Sequence, residues 1–192
     1  MELTTCAWCH GTPQYRNYHD TEWGRPVRDE KRMFEFLLLE TFQAGLSWIT
    51  ILNKRENFRN AFHGFDPVKV AAMDDSDIEQ ALQNPGIIRH RGKIQAAINN
   101  AKCVLQMHEQ GRSLVDFFWS YVEHQPQVNH WESLEELPAK TPLAETISKD
   151  LKKLGFKFVG PTTIYAHMQA TGMVNDHLIT CPQHQEICAS YQ

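Results

Sequence analysis

The stretch DEKRMFEFLLLETFQAG, residues 29–45, carries apolar side chains almost all the way round a helical wheel. That pattern predicts a deeply buried helix rather than one with a single wet face. Asp29 is its expected N-cap, acidic residues fill its opening turn, and Gly45 is its expected end. Ser47 then stands to cap a second helix, SWITILNKRENFRNAFHGF. DPVKVAAMDDSDIEQALQNPG reads as two short helices, capped at Asp66 and at Asp74 or Ser76. RHRGKIQAAINNAKCVLQMHEQG is an amphipathic helix that stops at Gly111, and SLVDFFWSYV is a short aromatic one. PLAETISKDLKKLGF is helical with basic residues in its last turn, and KFVGPTTIYAHMQATGMVNDH is a short turn feeding another helix. Pro126, Pro138 and Pro142 mark 124–142 as connecting loop. Strand-like runs such as KFV never alternate for long, so the class is all-α with irregular connections.

Length and composition narrow this picture. The chain has 192 residues, enough for one large domain or two tightly joined small ones, with a sizeable core. Apolar residues make up 42% and charged residues 22%, as in an ordinary soluble globular protein. No apolar run reaches the ~18 residues of a membrane span, so no membrane partner is expected. MELTTCAWCHG lacks the basic-then-apolar pattern of a secretory signal, and a cytoplasmic location follows as the expectation. The net charge of −4 argues against non-specific coating of nucleic acid but leaves room for a local basic face. RHRGK, 89–93, is one such cluster, suited either to phosphate contact or to a solvated face.

Three groups of residues carry possible chemistry. The five cysteines, at 6, 9, 103, 181 and 188, gather toward the chain ends. Without an export signal they suit metal binding or free thiols better than disulfides. CAWCHGTPQYRNYHD offers Cys6, Cys9, His10 and His19, and NDHLITC offers His177 and Cys181. The last two, spaced i, i+4, would share one helical face within reach of one ion. Two thiolates and two imidazoles suit tetrahedral zinc, whereas Cys-x-x-Cys redox chemistry lacks its usual preceding strand. The turn LGFKFVGPTTIYAHMQATG places Gly155 and Gly160 around a hairpin that opens a helix. Free backbone N–H groups there could hold a phosphate, with Lys152, Lys153 and Lys157 adding charge. Glu40 follows FEFLLL on the buried helix, where a carboxylate is costly unless it is paired, functional or at the solvent edge. Trp8, Tyr15, Tyr18 and Trp23 are core residues or, beside that carboxylate, walls for a flat cationic ring.

In order along the chain, CAWC, YHDTEWG, QAGLSWITILNKRENFRNAF, FDPVKVAAM, GIIRHRGKIQA, FKFVGPTTIYAHMQATGMVNDH and Cys181 closely resemble the 3-methyladenine DNA glycosylase I family. The resemblance spans nearly the whole chain and is weakest in 125–150 and beyond 182. It implies a helix-hairpin-helix DNA repair enzyme of one unit, residues 1–192, with two helical subdomains and the pocket between them. Such an enzyme, expected as a monomer, excises 3-methyladenine from double-stranded alkylated DNA, releases the free base and leaves an abasic site. The resemblance further implies one structural zinc joining the chain ends, with ligands at Cys6, His19, His177 and Cys181. The pocket carboxylate falls on Glu40, the base-stacking aromatics on Trp8, Tyr18 and Trp48, with Tyr15 and Trp23 nearby. Gly45 and Leu46 fall on the segment that enters the DNA, and Gly160 and Thr162 on the hairpin's DNA contact. No lysine lies in the hairpin turn from Gly160 to Thr163, so hydrolysis by water without strand cleavage is expected. Asp176 is open between a part in the chemistry and a structural one, and Cys9 and His10 match no ligand position. A non-catalytic DNA-damage binder and a zinc hydrolase of small substrates are the rival readings.

Overall fold

The all-round apolar stretch forms the central helix of the molecule. The structure, a computed structural model, describes residues 4–191. Here α1 spans Pro13–Thr21, and α2, Glu30–Gln43, buries every residue from Met33 to Phe42. Around it run α3 (Trp48–Ala61), α4 (Pro67–Ala71), α5 (Asp75–Gln83), α6 (Arg91–Glu109) and α7 (Leu114–Ser120). The chain continues with α8 (Pro142–Lys153), α9 (Pro161–Ala170) and α10 (Pro182–Ala189). The caps follow the sequence signals. Asp29 Oδ1 accepts from the Arg32 N–H, Asp66 caps α4, and Asp74 rather than Ser76 caps α5 in a capping box with Asp77. Ser47 is an exception. It occupies the N-cap position of α3, but its hydroxyl lies 2.8 Å from the Thr50 hydroxyl and makes no cap bond.

The main core joins α2 to α3 and to α6–α9, with Phe42, Phe58 and Phe62 packed together at centroid distances of 4.7–6.2 Å. A smaller cluster of Tyr18, Trp23, Phe36, Leu52 and Ala170 packs on the other side of α2, flanked by Trp8, Tyr15 and Trp48. Beneath it lies an ionic network. Arg55, on α3, donates to Glu35 Oε1 and to Glu22 Oε2 at 2.8 Å each. Arg59 also reaches Glu35, and Arg32 pairs with Glu22. Burial alone would raise the Glu35 pKa, but the Arg55, Arg32 and Arg59 charges hold it below the ordinary carboxylate value.

Two features depart from the sequence reading. The long proline-marked connection contributes a two-residue strand, β1 (Gln127–Val128), which pairs in parallel with β2 (Val174–Asn175). The His177–Cys181 segment is not a helix. The chain leaves α9 through Gly172, forms β2 and runs through irregular turns until Pro182 opens α10. A side chain at Gly172 would stand 2.4 Å from the Arg25 carbonyl carbon, so glycine there lets the two backbones touch.

Candidate active site and metal centre

The smaller aromatic cluster encloses a cavity of about 140 Å³ lined by Trp8, Tyr15, Tyr18, Trp23, Glu40 and Trp48. These are the six pocket residues named from the sequence. Gln43, Ala166 and Gln169 complete the wall, and the sequence reading missed them. Ala166 and Gln169 stand three residues apart on one face of α9, the helix that follows the hairpin, and that spacing was the available signal. The aromatic walls brace one another. Trp8 lies 5.0 Å from both Tyr15 and Trp23, and Tyr18 lies 5.5 Å from Trp48.

Glu40 is not at the solvent edge. It is 4% exposed, and no described residue donates a hydrogen bond to its carboxylate. Burial pushes its pKa up to about 8. The indole N–H of Trp48 is likewise buried without a partner. Unpaired polar groups converging in a concave apolar wall are the usual mark of a candidate binding site.

Asp176, in contrast, is fully engaged. It is 1% exposed and accepts from Asn129 Nδ2 at 2.6 Å, Trp131 Nε1 at 2.8 Å, Gln169 Nε2 at 2.9 Å and the Tyr165 hydroxyl. Its carboxylate ties the long connection to α9, with two donors on each oxygen, and it does not line the cavity.

At the rim of the cavity α2 ends in an exposed turn, Gly45–Ser47, with Gly45 at φ +84° and Leu46 39% exposed. Lys93 holds this turn from below. Its ammonium is buried and donates to the carbonyls of Phe42 (2.9 Å) and Ala44 (2.6 Å), completing the open C-terminus of α2. RHRGK is therefore divided: Arg89, His90 and Arg91 are exposed, while Lys93 is structural. The hairpin, 154–160, joins α8 to α9. Gly160 is the N-cap of α9 without a side-chain cap bond, and Thr162 is exposed.

The two chain ends meet beside the aromatic wall. Cys6, His19, His177 and Cys181 are all fully buried, and one donor atom from each falls within 4.8 Å of the others. A tetrahedral zinc with bonds of about 2.0–2.3 Å has ligand-to-ligand edges of roughly 3.3–3.8 Å. His19 Nε2 is 3.1 Å from His177 Nδ1, and Cys181 Sγ is 3.6 and 3.7 Å from the same two nitrogens. Cys6 Sγ lies 3.9 Å from His177 Nδ1. His177 Nε2 donates to the Trp23 carbonyl at 3.0 Å, so in the neutral ring its Nδ1 lone pair faces the cluster. The donor set fits a divalent cation, and with four protein donors it leaves no open coordination position. The site survives the loss of the expected helical face because the turns of 177–181 bring both side chains inward. Cys9 stands outside it, with its thiol donating to the Cys6 carbonyl at 3.0 Å.

A helical scaffold thus carries an aromatic cavity with a buried carboxylate that no described residue pairs. The family model described as methyladenine glycosylase matches residues 8–184, and the chain belongs to that family. It is 57% identical to DNA-3-methyladenine glycosylase 1 of Escherichia coli K12, over 93% of this chain and 96% of that protein. A crystal structure of a 3-methyladenine DNA glycosylase I superimposes with a TM-score of 0.92 at 53% identity, covering 93% of this chain and 98% of that one. A Staphylococcus aureus structure, described as the basis of 3-methyladenine recognition by its glycosylase I, gives 0.91 at 40%, covering 96% and 98%.

Proposed function

We propose that this chain is a DNA repair glycosylase that hydrolyses the N-glycosidic bond of 3-methyladenine in double-stranded DNA, releasing the free base and leaving an abasic site. The observation that carries the reading is Glu40, buried and unpartnered within an aromatic cavity the size of one small ring system.

Methylation at N3 gives adenine in DNA a positive charge, so its bond to the sugar is already weak. The aromatic faces of Trp8, Tyr15, Tyr18, Trp23 and Trp48 attract such a ring by stacking and cation–π interaction. Glu40 accepts hydrogen bonds from the base, and the adjacent cation favours its ionised form over the neutral acid that burial alone prefers. Neutral adenine offers no charge in return for desolvating that carboxylate, which is the basis of discrimination. As the bond breaks, the base leaves with the electron pair and becomes neutral. Water adds its oxygen to the sugar C1′ and releases a proton. No lysine in the hairpin turn competes for that carbon, so the enzyme leaves the strand intact.

To reach the cavity the base must leave the stack, and a damaged pair makes this easier. Gly45 and Leu46 fill the space it vacates, since glycine allows close backbone approach and Leu46 is already exposed. The hairpin and the uncapped N-terminus of α9, at Gly160 and Thr162, hold a backbone phosphate in the manner of helix-hairpin-helix proteins. The chain works as one unit over 1–192, a monomer of two helical subdomains with the cavity between them. One structural zinc, held by Cys6, His19, His177 and Cys181, supplies the cross-link that holds the N-terminal aromatic wall against the rest of the fold.

The test is release of free 3-methyladenine from methylated duplex DNA. The unaltered chain is expected to release it, and Glu40→Gln or Trp48→Ala to do so far more slowly. Tight binding of methylated duplex with no base release would instead identify a damage-binding protein.

A further inference from the structure

His10 has no place among the four donors or in the cavity, yet it begins a continuous chain of hydrogen bonds that ends on one of those donors. His10 Nε2 lies 2.7 Å from the Thr5 hydroxyl. Thr5 Oγ1 accepts from Arg16 at 3.1 Å, which leaves its own proton free for His10. Arg16 Nε donates to Asp20 Oδ2 at 2.7 Å, and Asp20 Oδ1 lies 2.7 Å from His19 Nδ1. A carboxylate only accepts, so His19 Nδ1 carries the proton of that bond. In the neutral ring Nε2 then keeps a lone pair, and Nε2 is the atom that faces His177 and Cys181. An Arg16–Asp20 pair one helical turn apart is common and contributes little. It does not account for the second carboxylate oxygen, which is turned onto a fully buried imidazole.

We propose that Asp20 is the positioning residue of the metal centre, fixing the tautomer and orientation of His19, and that Arg16, Thr5 and His10 hold Asp20 in place from the surface inward. The inference rests on reading the four-donor cluster as a zinc site. It also gives the segment between Cys6 and His19 a second task. The Thr5–His10 contact closes the short turn that carries Trp8, and the Trp8 ring packs 5.1 Å from His19. Carboxylate–histidine–metal arrangements of this kind support affinity through the ligand's basicity and alignment, and their loss weakens metal binding about 10- to 100-fold.

The experiment uses the full chain. Zinc affinity is measured by competition with a chromophoric chelator, the cobalt(II)-substituted protein is followed by its visible spectrum, and the metal-free protein is unfolded in urea. Asp20→Ala is expected to bind zinc about 10- to 100-fold more weakly and to shift the cobalt bands. Asp20→Asn, whose amide oxygen still accepts from Nδ1–H, should recover part of the affinity, and Arg16→Met should lose less than Asp20→Ala. The metal-free unfolding midpoints should stay close together. Wild-type zinc affinity and cobalt spectrum in both Asp20→Ala and Arg16→Met would overturn the proposal, as would losses matched in full by metal-free destabilisation. Absence of zinc from the unaltered, zinc-supplied chain would remove the metal reading itself, a failure distinguishable from that of Asp20 alone.

Discussion

At the scale of single residues, Glu40 concentrates the physics of the site. Its folded pKa of about 8 lies above the usual 4.5 because burial disfavours the charged form. A raised carboxylate stabilises the fold fully below its unfolded pKa, and that contribution disappears as pH climbs from about 4.5 through about 8. Glu40→Gln has no such proton to lose. Relative to the unaltered chain its stability should therefore improve between pH 5 and pH 9, by an amount on the order of a few kcal/mol. Urea denaturation at pH 5, 7 and 9 would show a constant difference if Glu40 were ordinarily solvated. The variant should release base poorly at every one of these pH values, separating the residue's functional part from its cost to the fold. The sequence made Glu40 suspicious through its apolar neighbours, but a helical wheel does not tell a solvent edge from a pocket. What decided it was Tyr18, Trp23 and Trp48, brought over α2 from two other segments. Asp176 shows the opposite limit. Its position after the hairpin suggested chemistry, while its four hydrogen-bond donors come from residues 129, 131, 165 and 169, which no local pattern connects.

At the scale of elements, helices with strong signals were legible and irregular segments were not. The caps at Asp29 and Asp66 and the all-round burial of α2 follow directly from residue type and period. The 177–181 turns do not, because i, i+4 spacing fits a tight irregular path as well as a helix. Nor does the sequence show that Lys93 closes α2, since its partners lie 49 and 51 residues away. Lys93→Met should destabilise the fold by about 1.5–3 kcal/mol, the range for hydrogen bonds to a charged group. By loosening the Gly45–Leu46 turn it should also slow excision from duplex DNA more than it weakens binding of free 3-methyladenine. An equal loss in both assays would place the effect in the pocket instead. The network joining α2 to α3 makes a separate prediction. Arg55→Met removes one of the three arginines around buried Glu35 and leaves Arg59 and Arg32 in place, so near neutral pH it should destabilise the fold by less than the ~3–5 kcal/mol of a fully unpaired buried charge. Glu35 is held below the ordinary value, so its contribution is present above about pH 4.5 and is lost as pH falls further. The deficit of the variant should accordingly narrow in acid, as thermal unfolding at pH 7 and pH 3.5 would record.

At the scale of the whole molecule, the buried four-donor cluster brings together segments 171 residues apart, Cys6 and His177. The residue types of a metal site were visible in the sequence, and the resemblance selected four of them. The resemblance already left Cys9 out of the set, and in the fold its thiol turns onto the Cys6 carbonyl. The cluster and the cavity share a wall: Trp23 packs edge-on against His177 at 4.7 Å and also lines the cavity. Metal binding and base binding should therefore be linked, although none of the four donor residues lines the cavity. Chelation should lower the unfolding midpoint, because a ligand that binds only the folded chain contributes about 4 kcal/mol at a thousandfold excess over its Kd. It should also weaken free 3-methyladenine binding under conditions where the chain remains folded, since Trp8 and Trp23 lose their support. Re-addition of zinc should restore both. If metal-free, folded protein bound the base as tightly as the zinc-loaded form, the cluster would be a stabilising cross-link alone, and the aromatic wall would owe its placement to the packing of α1 on α2 and α9.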